Sequence, residues 1–93
     1  MQKNSNKLKS IIELFNKGER HKAQREIKLL LNADTRNEDL LLLHAKISIN
    51  MNEIEESNSS LKKLISLNSN QIEALKLLYV NYFKINKFNL AKK

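Results

Sequence analysis

A chain of 93 residues forms one domain at most, burying about 60–65% of the surface its unfolded form exposes, room for a modest core but not for a deep, water-excluding cleft. Charged residues at 29% and hydrophobic residues at 41% match a soluble globular chain. With no Cys, disulfides, thiolate nucleophiles and sulfur-built zinc sites are excluded, and no run of about 18 apolar residues spans a membrane. The net charge of +7 favours acidic partners, but the joint abundance of Lys, Asn and Ile is also what an AT-rich coding sequence produces.

In chain order, "KLKSIIELFNK" (residues 7–17) offers Leu8, Ile11, Ile12, Leu14 and Phe15 at helical spacing. The N-terminus has a basic start, but its apolar stretch is cut short by Glu13, so it makes a poor signal peptide. Gly18, the only Gly in a chain without Pro, closes this helix, because a helix commonly ends on a residue with positive φ. "HKAQREIKLLLN" (21–32) sets Ala23, Ile27, Leu30 and Leu31 on one face. Thr35 and Glu38 then fit a capping box. "EDLLLLHAKISINM" (38–51) is apolar nearly all round, the pattern of a helix buried on more than one side. Asn52 ends it. "ESNSSLKKLISL" (56–67) is a plainer amphipath with Ser57, Leu61, Leu64, Ile65 and Leu67 on one face. Asn70 and Glu73 fit a second capping box, and "IEALKLLYVNYFKI" (72–85) is again apolar on several sides. Asn86 is expected to turn the chain into a last helix, "KFNLAKK", which stops after about one and a half turns.

The chain repeats at a period of 34 residues. Gly18, Asn52 and Asn86 fall in register as turn residues, since Gly adopts positive φ freely and Asn is the next most tolerant type. Ala23, Ser57 and Ala91 recur five residues later as small residues that let antiparallel helices approach closely.

This pattern resembles the tetratricopeptide repeat, a 34-residue helix–turn–helix unit. Leu41 and Leu75 match its early large position, Ala45 its first small one, Leu14 and Tyr82 its aromatic or large one, Gly18 its turn, and Ala23 and Ala91 its best-kept small position. Leu30 and Leu64 stand where Ala is usual, Thr35 and Ser69 where Pro is common, Tyr79 where a small residue is usual, and Lys7 where a large one is expected. The resemblance implies an all-α fold, an α-solenoid of antiparallel helix hairpins stacked as a right-handed superhelix. Its units are about 4–37, 38–71 and 72–93, the last incomplete. The implied function is that of a cytoplasmic, non-enzymatic scaffold that binds a peptide or partner segment in a groove lined by the first helix of each pair. Carried onto this chain, the groove positions are Ile12 and Phe15; Asp39, Leu42, Lys46 and Ile49; and Glu73, Lys76, Val80 and Phe83. Several members of that family grip a terminal carboxylate with Lys, Asn and Arg. Leu8, Ile12, Leu43 and Leu77 replace those polar positions here. The expected partner is instead a peptide with apolar anchors and some acidic residues.

No cofactor or metal is expected. His21 and His44 lie in different units without metal-ligand spacing, and His44, among leucines in "LLLLHAK", reads as a packed helix residue. Glu53, Glu55 and Glu56 sit where a helix start favours acids. Asn58-Ser59-Ser60 fits a glycosylation acceptor that carries no weight without export. Nucleic-acid binding is a weaker alternative. Residues 1–37 carry nine Lys/Arg against four acids, but 38–71 carry three against five, so the basic charge is no continuous stripe. The short final helix raises two further expectations: a longer parent in which this array is an N-terminal scaffold or targeting module of a larger enzyme such as a transferase, and self-association through the uncovered C-terminal end.

Overall fold

A computed structural model describes residues 3–92, with side chains described for 6–86. The fold is all-α: α1 (Lys3–Asn16), α2 (Arg20–Ala33), α3 (Glu38–Asn50), α4 (Ile54–Leu67) and α5 (Ile72–Lys92). Three-residue links at 17–19 and 51–53 alternate with four-residue links at 34–37 and 68–71. Links this short fold each helix back on the last, and each helix packs chiefly on its neighbours in sequence. The molecule measures 48 × 31 × 19 Å.

The backbone repeats itself at the links. Gly18 and Asn52 have φ of +91° and +64°. Gly18 N–H donates to the Phe15 carbonyl and Glu19 N–H to the Leu14 carbonyl; Asn52 and Glu53 make the same two bonds to Ile49 and Ser48. This is the Schellman arrangement, in which a residue in the left-handed region lets two amides turn back onto the helix's last carbonyls. An added Cβ at Gly18 would meet nothing within 4 Å, so the demand there is on the backbone alone. Gly18→Ala is therefore expected to cost about 1 kcal/mol, the penalty of left-handed φ for an L-residue. Asn52→Gly should be neutral or slightly stabilising, and paired urea titrations check both.

The third expected turn is absent. Asn86 lies inside α5, which continues to Lys92. Asn permits positive φ without requiring it, and nothing between Phe83 and Asn86 disfavours helix, so backbone bonding carries straight through. Residues 72–93 therefore form one long helix over their described length rather than a helix–turn–helix unit. The side chain of Ala91, its expected packing residue, lies outside the described residues, as does that of Phe88.

The helix starts also differ from expectation. The cap of α3 is Asn37, not Thr35: its Oδ1 accepts from Leu40 N–H at 3.1 Å, and its Nδ2 donates to Asp34 at 3.0 Å. Thr35 and Asn37 are both good capping types, but only Asn37 directly precedes the first helical residue. At α5, Gln71 stands at the cap and accepts from Glu73 N–H, while Asn70 N–H donates to Asn68 Oδ1.

Two apolar clusters form the core, and α3 serves both. Leu40 and Ile47 pack with Ile11, Ala23 and Ile27 from α1 and α2. Leu41 and Ala45 pack with Leu61 and Leu64 of α4 and Ala74 of α5. This is why α3 is apolar nearly all round. Ala23 and Ser57 are fully buried. α5 has a similar all-round pattern but is covered on one side only. Ile72, Leu75, Tyr79, Val80, Tyr82 and Phe83 remain exposed.

Candidate functional site

An apolar trough runs between α1 and α3. A cavity of about 310 Å³ is lined by Ile12, Phe15, Leu43, Lys46, Ile47 and Asn50. A second, of about 180 Å³, continues it past Leu8, Asp39 and Leu42. Helical spacing produces this trough. Leu8, Ile12 and Phe15 follow one another along α1 at four- and three-residue steps, as Leu43, Ile47 and Asn50 do along α3, with Lys46 beside Ile47. Ile11, next to Ile12, points the other way into the core, so Ile12 stays 43% exposed. Arg20 lies 5.5 Å over the Phe15 ring, a cation–π contact that steadies one wall.

Of the ten groove positions expected from sequence, Ile12, Phe15, Asp39, Leu42 and Lys46 line these two cavities. Glu73 joins them through charge, its Oε2 lying 2.6 Å from Lys46 Nζ. Both partners are about half exposed; such a pair contributes little to stability and exchanges easily. Ile49, Lys76, Val80 and Phe83 line neither cavity. Ile49 is half-buried at the end of α3, and the other three lie along α5, exposed. Leu43, Ile47 and Asn50 complete the main cavity and Leu8 the second, though none of the four is among the ten expected groove positions. The heptad-like step from Leu43 to Asn50 on one face was the available signal.

A polar chain crosses the other side of α3. His44 is buried, with Nδ1 2.6 Å from Ser60 Oγ and Nε2 3.3 Å from Glu56 Oε1. The second contact is close enough for charge attraction but not aligned as a hydrogen bond. Lys28 Nζ holds the same Glu56 oxygen at 2.9 Å, and Gln24 donates to Glu53 alongside. A carboxylate beside Nε2 favours the tautomer with its proton there, so Nδ1 accepts from the Ser60 hydroxyl. The order Ser60–His44–Glu56 is that of a nucleophile, a base and an orienting carboxylate. Yet Ser60 is buried, and the amides around it are spent inside α4, where no oxyanion would find them. The chain ties α2, α3 and α4 together. Among the described residues, no group of three His, Asp or Glu is placed to hold a metal ion, and no helix is long and apolar enough to cross a membrane.

Burial holds the His44 pKa below the ordinary 6.5, against the opposing pull of Glu56. The hydrogen bond from Lys28 holds Glu56 below 4.5. In the unfolded chain His44 takes up its proton near its ordinary pKa, while the native chain does not until lower pH. Stability therefore rises with pH through that window and is lost as pH falls below 6.5. Glu56 adds a second loss below 4.5. The thermal midpoint is expected to fall between about pH 7.5 and pH 5. His44→Asn, which keeps an acceptor for Ser60, should flatten that slope.

A buried polar seam joins α4 and α5. Asn81 Nδ2 donates to Asn58 Oδ1 at 2.8 Å and to Ser57 Oγ at 3.1 Å. Asn81 is fully buried, as is Ser48 on α3, and both Asn81 Oδ1 and Ser48 Oγ have no partner. Asn81 stands between Val80 and Tyr82, both exposed. Only its seven-residue step from buried Ala74 marks the inner face.

No protein-family model matches the chain, and no curated protein matches it in sequence.

Proposed function

We propose that this chain is a protein-interaction module of the tetratricopeptide-repeat kind, its hairpins stacked as a right-handed array and its trough between α1 and α3 taking a partner peptide. The observation that carries this reading is the apolar cavity of about 310 Å³ with one lysine and one asparagine among its lining residues. That volume accepts a bulky apolar side chain, and Lys46 with Asn50 supplies the few polar contacts that orient a ligand. A carboxylate on the partner replaces Glu73 at Lys46 at small cost, because the exposed pair being broken is weak. The preferred ligand is an extended or helical segment with an apolar anchor followed by Asp or Glu. The 34-residue recurrence of turn hydrogen bonds supports the array, since each such unit buries its face only against its neighbours.

Selection of a random peptide library displayed on phage against the immobilised chain tests this. Enriched peptides should share a bulky apolar residue close to an acidic one. Ile12→Asp, at a position already 43% exposed, should abolish their binding. Lys46→Glu should weaken it about tenfold, equivalent to about 1.4 kcal/mol. Peptides that bind both variants as well as the parent would exclude the trough as their site.

A further inference from the structure

We propose that the outward face of α5 is a homodimer interface, two copies packing α5 against α5 in antiparallel fashion about a two-fold axis at Tyr79. The face is built from Ile72, Leu75, Tyr79 and Phe83 with Tyr82 at its edge. The steps of three and four residues place them on one stripe, opposite the buried Ala74 and Asn81. Tyr79 is 74% exposed and Phe83 60%. At about 200 Å² per large side chain, the five leave on the order of 600 Å² of mostly apolar surface in water. That equals the upper end of the largest patch on an ordinary monomer. Doubled across a two-fold axis it gives about 1,200 Å², the lower bound for a specific interface.

Charge selects the occupant and its orientation. A helix packed on its own copy must oppose like with unlike along its flank. On α5 the described charges flanking this stripe are Glu73 near one end, one oxygen of which already meets Lys46 of α3, and Lys84 near the other, with Lys76 between them. Glu73 and Lys84 lie on the same edge of the stripe. In an antiparallel pair the same edges meet, so an axis at Tyr79 sets Leu75 level with Phe83 of the second copy. It also sets Glu73 within one residue, about 1.5 Å along the axis, of Lys84 of the second copy. The two-fold axis makes that pair twice. A parallel pair would instead bring opposite edges of the stripe together and leave Glu73 with no Lys84 of the second copy beside it. On the opposite edge Lys62 of α4 sits 5.9 Å over the Tyr82 ring, a contact that keeps this aromatic at the rim of the stripe.

Sedimentation velocity on the 93-residue chain, at concentrations up to on the order of 100 μM, tests the proposal. A concentration-dependent rise to twice the monomer mass is expected. Tyr79→Glu should leave a folded monomer, since its position is exposed and its melting at low concentration should match the parent. Lys84→Glu should weaken the dimer about tenfold by facing acid with acid, and Glu73→Lys with Lys84→Glu together should restore it. Ile12→Asp, in the trough between α1 and α3, should leave dimerisation unchanged. A monomer at all concentrations, a dimer that survives Tyr79→Glu, or one lost in Ile12→Asp would overturn the proposal. A double charge exchange that fails to restore the dimer would overturn the antiparallel register.

Discussion

Leu40→Ala is expected to lower the free energy of unfolding by about 3 kcal/mol, within the range for large-to-small changes at fully buried sites. Leu40 is fully buried and meets Ile11, Ala23 and Ile27 where α3 lies against the first two helices. Its removal takes away transfer energy and leaves a cavity that helices pinned by short links cannot easily close. A chain of this length has a total stability of only about 5–14 kcal/mol, so the change should be plain in a urea titration. Leu29→Ala, at an exposed α2 position, should change stability by less than about 0.5 kcal/mol. Leu61→Ala gives the companion measurement in the other cluster. Because α3 belongs to both clusters, either change should move a single unfolding transition seen by every probe. If Leu40→Ala instead melted α1 and α2 while α4 and α5 stayed folded, α3 would not be transmitting cooperativity and the hairpins would be near-independent units.

The difference between α3 and α5 shows what a sequence of this kind can and cannot disclose. All-α architecture was readable from the spacing of Ala23, Ile27, Leu30 and Leu31 and of Ser57, Leu61 and Leu64. Periodicity of that kind has one physical meaning on a helix. The all-round pattern of Leu40–Ile49 announced burial on two sides, and two clusters claim it. The same pattern in Ile72–Phe83 did not bring the same burial, because pattern records what a helix can cover and not whether a cover is there. Asn86 failed as a turn for a related reason. At Gly18 and Asn52 the chain leaves the helix where α2 and α4 return to bury Ala23 and Ser57. At Asn86 no such burial within the described residues opposes the helix's own hydrogen bonds, so tolerance of positive φ was not turned into use of it. Part of the trough was expected, since the resemblance to the repeat names Ile12, Phe15 and Lys46, and these residues line the cavity. Which way neighbouring residues such as Ile11 and Ile12 split between core and surface depends on the packing of α2. The polar seam was not legible, because a buried Asn has the same letter as an exposed one.

That seam supports the other large effect. Asn81→Ala is expected to cost about 2–3 kcal/mol, because it strands the buried Oδ1 of Asn58 and removes the donor to Ser57. Asn81→Leu fills the space but strands the same groups, so it should recover little of the loss. The cost should therefore track hydrogen bonding rather than volume, and a double-mutant cycle separates the two. Asn81→Ala and Asn58→Ala share one bond, so together they should cost about 1 kcal/mol or more less than the sum of each alone. Additive losses would mean that the bond contributes nothing and that Asn81 is only a space-filler. The physical stake is rotational. α5 is apolar on several sides, so hydrophobic burial alone does not decide which face meets α4. A buried amide with partners in one orientation only does decide it, as a polar residue fixes register in a coiled coil. Asn81→Leu is then expected to loosen the rotation of α5 as well as weaken its packing. Amide exchange along Ile72–Lys84 should quicken more than the fall in global stability accounts for, while exchange in α1 and α2 should follow the global change. Equal acceleration in all helices would show that the seam stabilises α5 without orienting it.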